Sequence, residues 1–154
     1  MKECISFFEK LLKWLVIFAN GLMLLLVFFQ VITRYCFGYT PHFGEELARY
    51  LFVWVVFLSL PLVAKYGGHM CIDTITARVE GLTKKTLVVI ADLFTIVFMG
   101  LMVYQGIIMV SRTSFQTSPA MMIPMSWVYA VIPFGCGIML LYAAANLYVA
   151  LKNP

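Results

Sequence analysis

Apolar residues fill four long stretches of the chain, and charged or turn-forming residues collect in the short segments between them. The stretches run Trp14–Thr33, Phe43–Ala64, Leu87–Val110 and Met125–Leu151. Each is about 20 residues or longer, enough at a rise of 1.5 Å per residue to cross a hydrocarbon layer about 30 Å thick. The second is the least regular. Its uninterrupted apolar part, Tyr50–Ala64, would cover only about 22 Å. Phe43–Arg49 therefore either begins the crossing or lies in the interface as a short amphipathic helix leading into it. The pattern predicts an all-α integral membrane protein with four transmembrane helices, residues 1–154 forming a single membrane domain.

Composition agrees: of 154 residues, 63% are hydrophobic and 12% charged, outside the usual range of water-soluble domains. The 11 Lys and Arg divide unevenly. Lys2, Lys10, Lys13, Lys65, Arg78, Lys84, Lys85 and Lys152 flank the termini and the second connection, whereas Arg34, Arg49 and Arg112 flank the first and third. The positive-inside rule then places both termini in the cytoplasm. The net charge of +4 follows from that topology, and its dispersal over separate segments speaks against nucleic-acid binding. Lys10 and Lys13 ahead of an apolar run could suggest a signal peptide. The run is too long, however, and Gln30-Val31-Ile32-Thr33-Arg34 offers no small-residue cleavage site. Cys4, Cys36, Cys71 and Cys136 stand singly, which supports neither a disulfide framework nor a metal site.

Ionisable groups within the stretches are costly and so are candidates for function. Asp92 is the one carboxylate within the uninterrupted apolar runs. It could carry a proton or cation. It would also sit in the second turn of a helix starting near Leu87, close to Lys84 and Lys85, where an N-terminal helix dipole favours negative charge, and this second reading fits better. Asn20, Gln30, Gln105 and Asn146 suit bridges between helices. Pro61 and Pro133 interrupt two spans; Pro133 deprives the Tyr129 carbonyl of its helical donor. No G-x-x-x-G is present to promote tight helix dimerisation.

The segment Thr40-Pro41-His42-Phe43-Gly44-Glu45-Glu46-Leu47-Ala48-Arg49-Tyr50 carries more chemistry. Thr40 followed by Pro41 fits an N-cap and first helical position. Arg49 can reach Glu45 at i,i+4 or Glu46 at i,i+3. The cluster is either a self-satisfied turn that anchors the second span or a charged contact with a partner, and one residue set can serve both. In the middle connection, His69 and Asp73 would share a helical face, but two residues do not make a metal site.

Four motifs occur in order: Gln30-Val31-Ile32-Thr33-Arg34-Tyr35, then Glu45-Glu46-Leu47-Ala48-Arg49-Tyr50-Leu51-Phe52-Val53-Trp54, then His69-x-x-x-Asp73, then Ser118-Pro119-Ala120-Met121-Met122-Ile123-Pro124-Met125 followed by Tyr129 and Pro133. From about Gln30 onward the chain resembles the DctQ-like small membrane subunit of tripartite ATP-independent periplasmic (TRAP) transporters. It departs from the family pattern at Phe43, where Trp is common, and at Ser59-Leu60-Pro61, where a Gly is common. The resemblance implies a multi-pass protein of the bacterial inner membrane that is not an enzyme and needs no cofactor or metal. It implies a scaffold for a large, multi-span, sodium-coupled transport subunit, with a periplasmic substrate-binding protein as further partner and membrane lipids around both. The solute would be carboxylated, of the sialic acid or dicarboxylate type, with no substrate site in this chain. The residues expected at subunit or surface contacts are Arg34, Glu45, Glu46, Arg49, His69, Asp73, Ser118 and Pro124. The alternative is a self-contained four-helix transporter that uses Asp92.

Overall fold

The computed structural model describes residues 2–39, 41–66 and 82–152, with backbone alone for 2–6, 65–66, 82–85 and 149–152. Its helices are α1 (Lys2–Phe37), α2 (His42–Tyr66), α3 (Leu82–Arg112), the short α4 (Met125–Tyr129) and α5 (Val131–Lys152). They make four segments long and apolar enough to cross a membrane: Phe7–Phe37, His42–Ala64, Thr86–Arg112 and Met125–Tyr148, the last joining α4 to α5. Thr40, His69, Cys71 and Asp73 lie outside the described residues.

Helix ends differ from the expected ones for local reasons. α1 starts at Lys2 because Lys10 and Lys13 are good helix formers that continue the apolar run on an exposed face. It stops at Gly38, whose φ of +64° is open to glycine, and the Tyr39 N–H reaches back to the Thr33 carbonyl at 3.4 Å. Pro41, expected as the first helical residue, instead precedes α2, and its carbonyl accepts the Gly44 N–H at 3.1 Å. Phe43–Arg49 is helical and continuous with the second membrane-length run, with no separate short helix between them. The one short helix among the described residues, α4, instead opens the last membrane-length segment. Pro133 cannot donate to the Tyr129 carbonyl, and the helical run breaks at Ala130 between α4 and α5.

The long helices are neighbours in the order α1, α2, α5, α3. α1 lies closest to α2, reaches α5 through side chains at Glu9 and Leu12, and leaves its apolar flank from Phe7 to Phe37 mostly exposed. A helix in lipid can leave such a flank uncovered, because hydrocarbon solvates it as well as a protein interior does. The buried cluster is small: Leu12, Leu58 and Val131, with Val16, Val53, Phe57, Leu62, Ile132 and Ile138 packed around it.

Close approach of backbones, made possible by small residues, holds the centre together. Pro61, fully buried in α2, lacks the N–H that would bond the Phe57 carbonyl four residues back. That same carbonyl faces Gly135 of α5. A Cβ on Gly135 would sit 2.8 Å from the Phe57 carbonyl carbon and closer still to its oxygen. The proline frees an acceptor and the glycine leaves room for it. Between α3 and α5, Gly106 meets Pro133 in a similar way, where a Cβ would lie 3.0 Å from the proline Cδ.

Candidate functional site

At the end of the bundle where α2 begins and α3 ends, residues 113–124 form a folded loop rather than a slack connection. The Ser118 N–H donates to the Ile123 carbonyl at 2.9 Å, the Met122 N–H to the Ser118 carbonyl at 3.1 Å, and the Met125 N–H to the Gln116 carbonyl at 2.9 Å. Thr117 and Pro124 pair across the base of the loop as an isolated antiparallel bridge. This closure requires Met122 to adopt a left-handed φ of 55°. For a residue with a Cβ that conformation costs about 1–2 kcal/mol, so the surrounding bonds must hold it in place.

Glu46 of α2 supplies much of that hold. Its Oε2 accepts the backbone N–H groups of Ala120 and Met121, each at 3.0 Å, and its Oε1 accepts the Tyr50 hydroxyl at 2.5 Å. The Ser118 hydroxyl is a further partner of the carboxylate and also accepts the Met121 N–H at 3.2 Å. The Met125 sulfur lies 3.3 Å from the Tyr50 hydroxyl. Two adjacent backbone N–H groups aimed at one carboxylate oxygen form a small anion nest, and hydrogen bonds to a charged acceptor are the stronger kind. Glu46 is 8% exposed and Ser118 fully buried, so the cluster is enclosed despite lying at the rim of the bundle.

Beside it is an open cavity of about 430 Å³ lined by His42, Glu45, Glu46, Arg49, Pro119 and Ala120. His42, Glu45 and Arg49 are exposed there. Of the expected contact residues, the structure thus joins Glu46 to Ser118, sets Pro124 at the base of the same loop, and places Glu45 and Arg49 on the cavity wall. Arg34 is exposed in the last turn of α1 and does not line the cavity. Tyr50, the Ala120 and Met121 amides and the left-handed Met122 were not expected from sequence. The i,i+4 spacing of Glu46 and Tyr50 could have signalled the first of these. Gln30, expected to bridge helices, is pressed against Gly44 of α2, where a Cβ would lie 2.9 Å from its Nε2; that nitrogen is buried without a hydrogen-bond partner.

A second polar cluster lies toward the other end of the bundle. The Tyr142 hydroxyl of α5 donates to Glu9 Oε1 of α1 at 2.6 Å, and Glu9 is 7% exposed. With α1 beginning at Lys2, Glu9 also lies within a membrane-length helix, one turn before Leu12 on the same buried stripe. Asp92 is 2% exposed and takes part in a polar or electrostatic interaction. Because α3 starts at Leu82, not near Leu87, Asp92 sits in its third turn. A dipole effect confined to the first turn does not account for it. Among the described residues, no three His, Cys, Asp or Glu side chains group closely enough to hold a metal ion.

Comparison with known proteins adds independent information. Residues 23–153 match the family described as tripartite ATP-independent periplasmic transporters, DctQ component. The chain is 31% identical over 124 residues to a TRAP transporter small permease protein of Haemophilus influenzae, covering 80% of this chain and 75% of that one. It is 28% identical over 126 residues to the isethionate TRAP transporter permease protein DctMQ of Oleidesulfovibrio alaskensis, covering 76% of this chain but 20% of the longer protein. The sialic acid TRAP transporter permease protein SiaT of Haemophilus influenzae shares 26% identity over 132 residues, 83% of this chain and 21% of its own length.

Proposed function

The chain belongs to the DctQ family of tripartite ATP-independent periplasmic transporter components, and we propose that it works there as a scaffold for a separate, large permease subunit. One observation carries this reading. The chain aligns to about three-quarters of a small permease but to only about a fifth of the permeases DctMQ and SiaT. The remaining four-fifths of those proteins is the part that a large, sodium-coupled subunit would supply here. The geometry agrees with a supporting role: buried Glu46 and Glu9 engage a loop and a neighbouring helix, while the flank of α1 stays apolar and exposed, fit for lipid or a larger membrane protein.

On this reading the protein is a multi-pass component of the bacterial inner membrane with both termini cytoplasmic, as the Lys and Arg distribution favours. The Glu46 loop then lies on the periplasmic side, where the small subunit helps dock a soluble substrate-binding protein. The solute is a carboxylated organic anion, of the sialic acid or dicarboxylate type; the relative named for sialic acid supports that class. The test is co-purification. An affinity-tagged copy expressed with the other components of its transporter should retain one large membrane subunit in constant ratio through detergent extraction and gel filtration. Recovery of the chain alone, with the large subunit present but separate, would refute the scaffold role.

A further inference from the structure

We infer that the cavity beside Glu46 is a headgroup site for a zwitterionic aminophospholipid of the phosphatidylethanolamine type, with Arg49 on its phosphate and Glu45 on its ammonium. The site lies at the rim of the bundle whichever leaflet that rim occupies, so the inference goes beyond the scaffold reading and does not depend on it.

His42, Glu45, Glu46 and Arg49 fall on one stripe of the first two turns of α2, at spacings of three, four and seven residues. All four line the open cavity of about 430 Å³, and Pro119 and Ala120 of the loop form the rest of its wall. Their chemistry divides. The Glu46 carboxylate is already engaged by the Ala120 and Met121 N–H groups and the Tyr50 hydroxyl, so it shapes the wall. Among the described residues, no hydrogen bond or ion pair engages His42, Glu45 or Arg49. By spacing, Arg49 could turn to either carboxylate. It pairs with neither. A guanidinium and a carboxylate thus face the same cavity with their hydrogen-bonding capacity open.

Depth identifies the ligand. α2 enters its membrane-length segment at His42. Tyr35, Tyr39, Phe43 and Trp127 stand exposed at this end of the bundle, the kind of aromatic belt that marks the level of lipid headgroups. Along α2, Arg49 lies one turn deeper than Glu45, a rise of about 6 Å. A phospholipid in the same leaflet keeps its phosphate next to the acyl region and extends its ammonium toward water on a two-carbon linker. The two orders coincide, guanidinium at the depth of the phosphate and carboxylate at the depth of the ammonium. Guanidinium suits phosphate oxygens because it offers parallel N–H donors. A primary ammonium gives Glu45 an N–H that a choline headgroup lacks, and an anionic headgroup would be repelled by Glu45. A permanent subunit contact is depleted of charged side chains at its core, so two open charges of opposite sign fit a hydrated headgroup better.

The test is native mass spectrometry of the full chain in detergent, repeated on its complex with the large subunit. The probes are phosphatidylethanolamine, phosphatidylglycerol and phosphatidylcholine with identical acyl chains. Phosphatidylethanolamine should be retained at least about fivefold more strongly than the other two, the scale of one partly exposed ion pair. Arg49→Gln should weaken its retention by a similar factor. Glu45→Gln should bring phosphatidylethanolamine and phosphatidylglycerol within about twofold of each other, because it removes both the ammonium's partner and the charge that opposes an anion. Both side chains are exposed, so neither change should move Tm in detergent. Ala120→Leu narrows the cavity without altering charge and should also weaken retention. Equal retention of the three lipids by the parent, or a preference unchanged in both glutamine variants, would overturn the site. Retention by the isolated chain that vanishes in the complex would assign the cavity to the large subunit and overturn the inference as well.

Discussion

Adding one methyl group at Gly135 should separate α2 from α5. The alanine Cβ would fall 2.8 Å from the Phe57 carbonyl carbon and nearer still to the oxygen. The obstacle is backbone, which cannot rotate away as a side-chain tip can, so the helices must part by roughly 1 Å or the carbonyl must tilt. Overpacking of this kind costs about 1–3 kcal/mol. Replacing glycine by alanine in a helix also returns up to about 1 kcal/mol through backbone propensity, which would mask part of the effect. Gly137 provides the correction. It lies two residues on in the same helix, and a Cβ there meets nothing within 4 Å. The propensity gain is common to both variants, so the difference between Gly135→Ala and Gly137→Ala isolates the overpacking at about 1–3 kcal/mol. Thermal unfolding of the purified protein in detergent, followed by tryptophan fluorescence, should show it as a gap of several degrees in Tm. A second change tests the cause. Pro61→Ala restores an N–H to the Phe57 carbonyl and draws it back into the α2 ladder, so the double variant should lose less stability than the two single losses added together. Equal stability of Gly135→Ala and Gly137→Ala would refute the reasoning.

Other parts of the structure lead to further expectations. Tyr142→Phe should cost about 1–3 kcal/mol in thermal unfolding by removing the donor to buried Glu9, and Glu9→Gln with Tyr142→Phe should cost less than the sum of the singles. Asp92→Asn should assemble with the large subunit and leave uptake largely intact in proteoliposomes; an assembled but transport-dead complex would favour a self-contained ion-handling role for this chain. In intact spheroplasts an impermeant maleimide should label exposed Cys36 and leave buried Cys136 untouched. Labelling of Cys36 only after membrane disruption would contradict the proposed orientation.

Much of the architecture was legible because lipid imposes a simple rule: a crossing helix must be long, apolar and internally hydrogen-bonded. Four crossings followed from that alone. The ends were less legible. Lys10 and Lys13 look like a boundary in sequence, yet both are compatible with a helix that continues past them, so Glu9 was overlooked as a residue within α1. The same shift moved Asp92 from the second turn of its helix to the third. The partner of the Phe57 carbonyl was out of reach. Pro61 announces a freed acceptor, but only the three-dimensional packing brings Gly135 to it, and the absence of G-x-x-x-G gave no hint that single glycines would set the helix spacing. Glu46 and Ser118 were both singled out, separately. Their union depends on a loop that returns across the bundle from 72 residues away, and the left-handed Met122 follows from that closure rather than from any property of methionine.

The most direct test of the scaffold reading is sodium-driven uptake of the radiolabelled solute into proteoliposomes, supplied with the soluble substrate-binding protein and containing this chain alone, the large subunit alone, or both. Uptake is expected with both, with none above background from this chain alone. Sodium-dependent accumulation by this chain in the absence of the large subunit would contradict it.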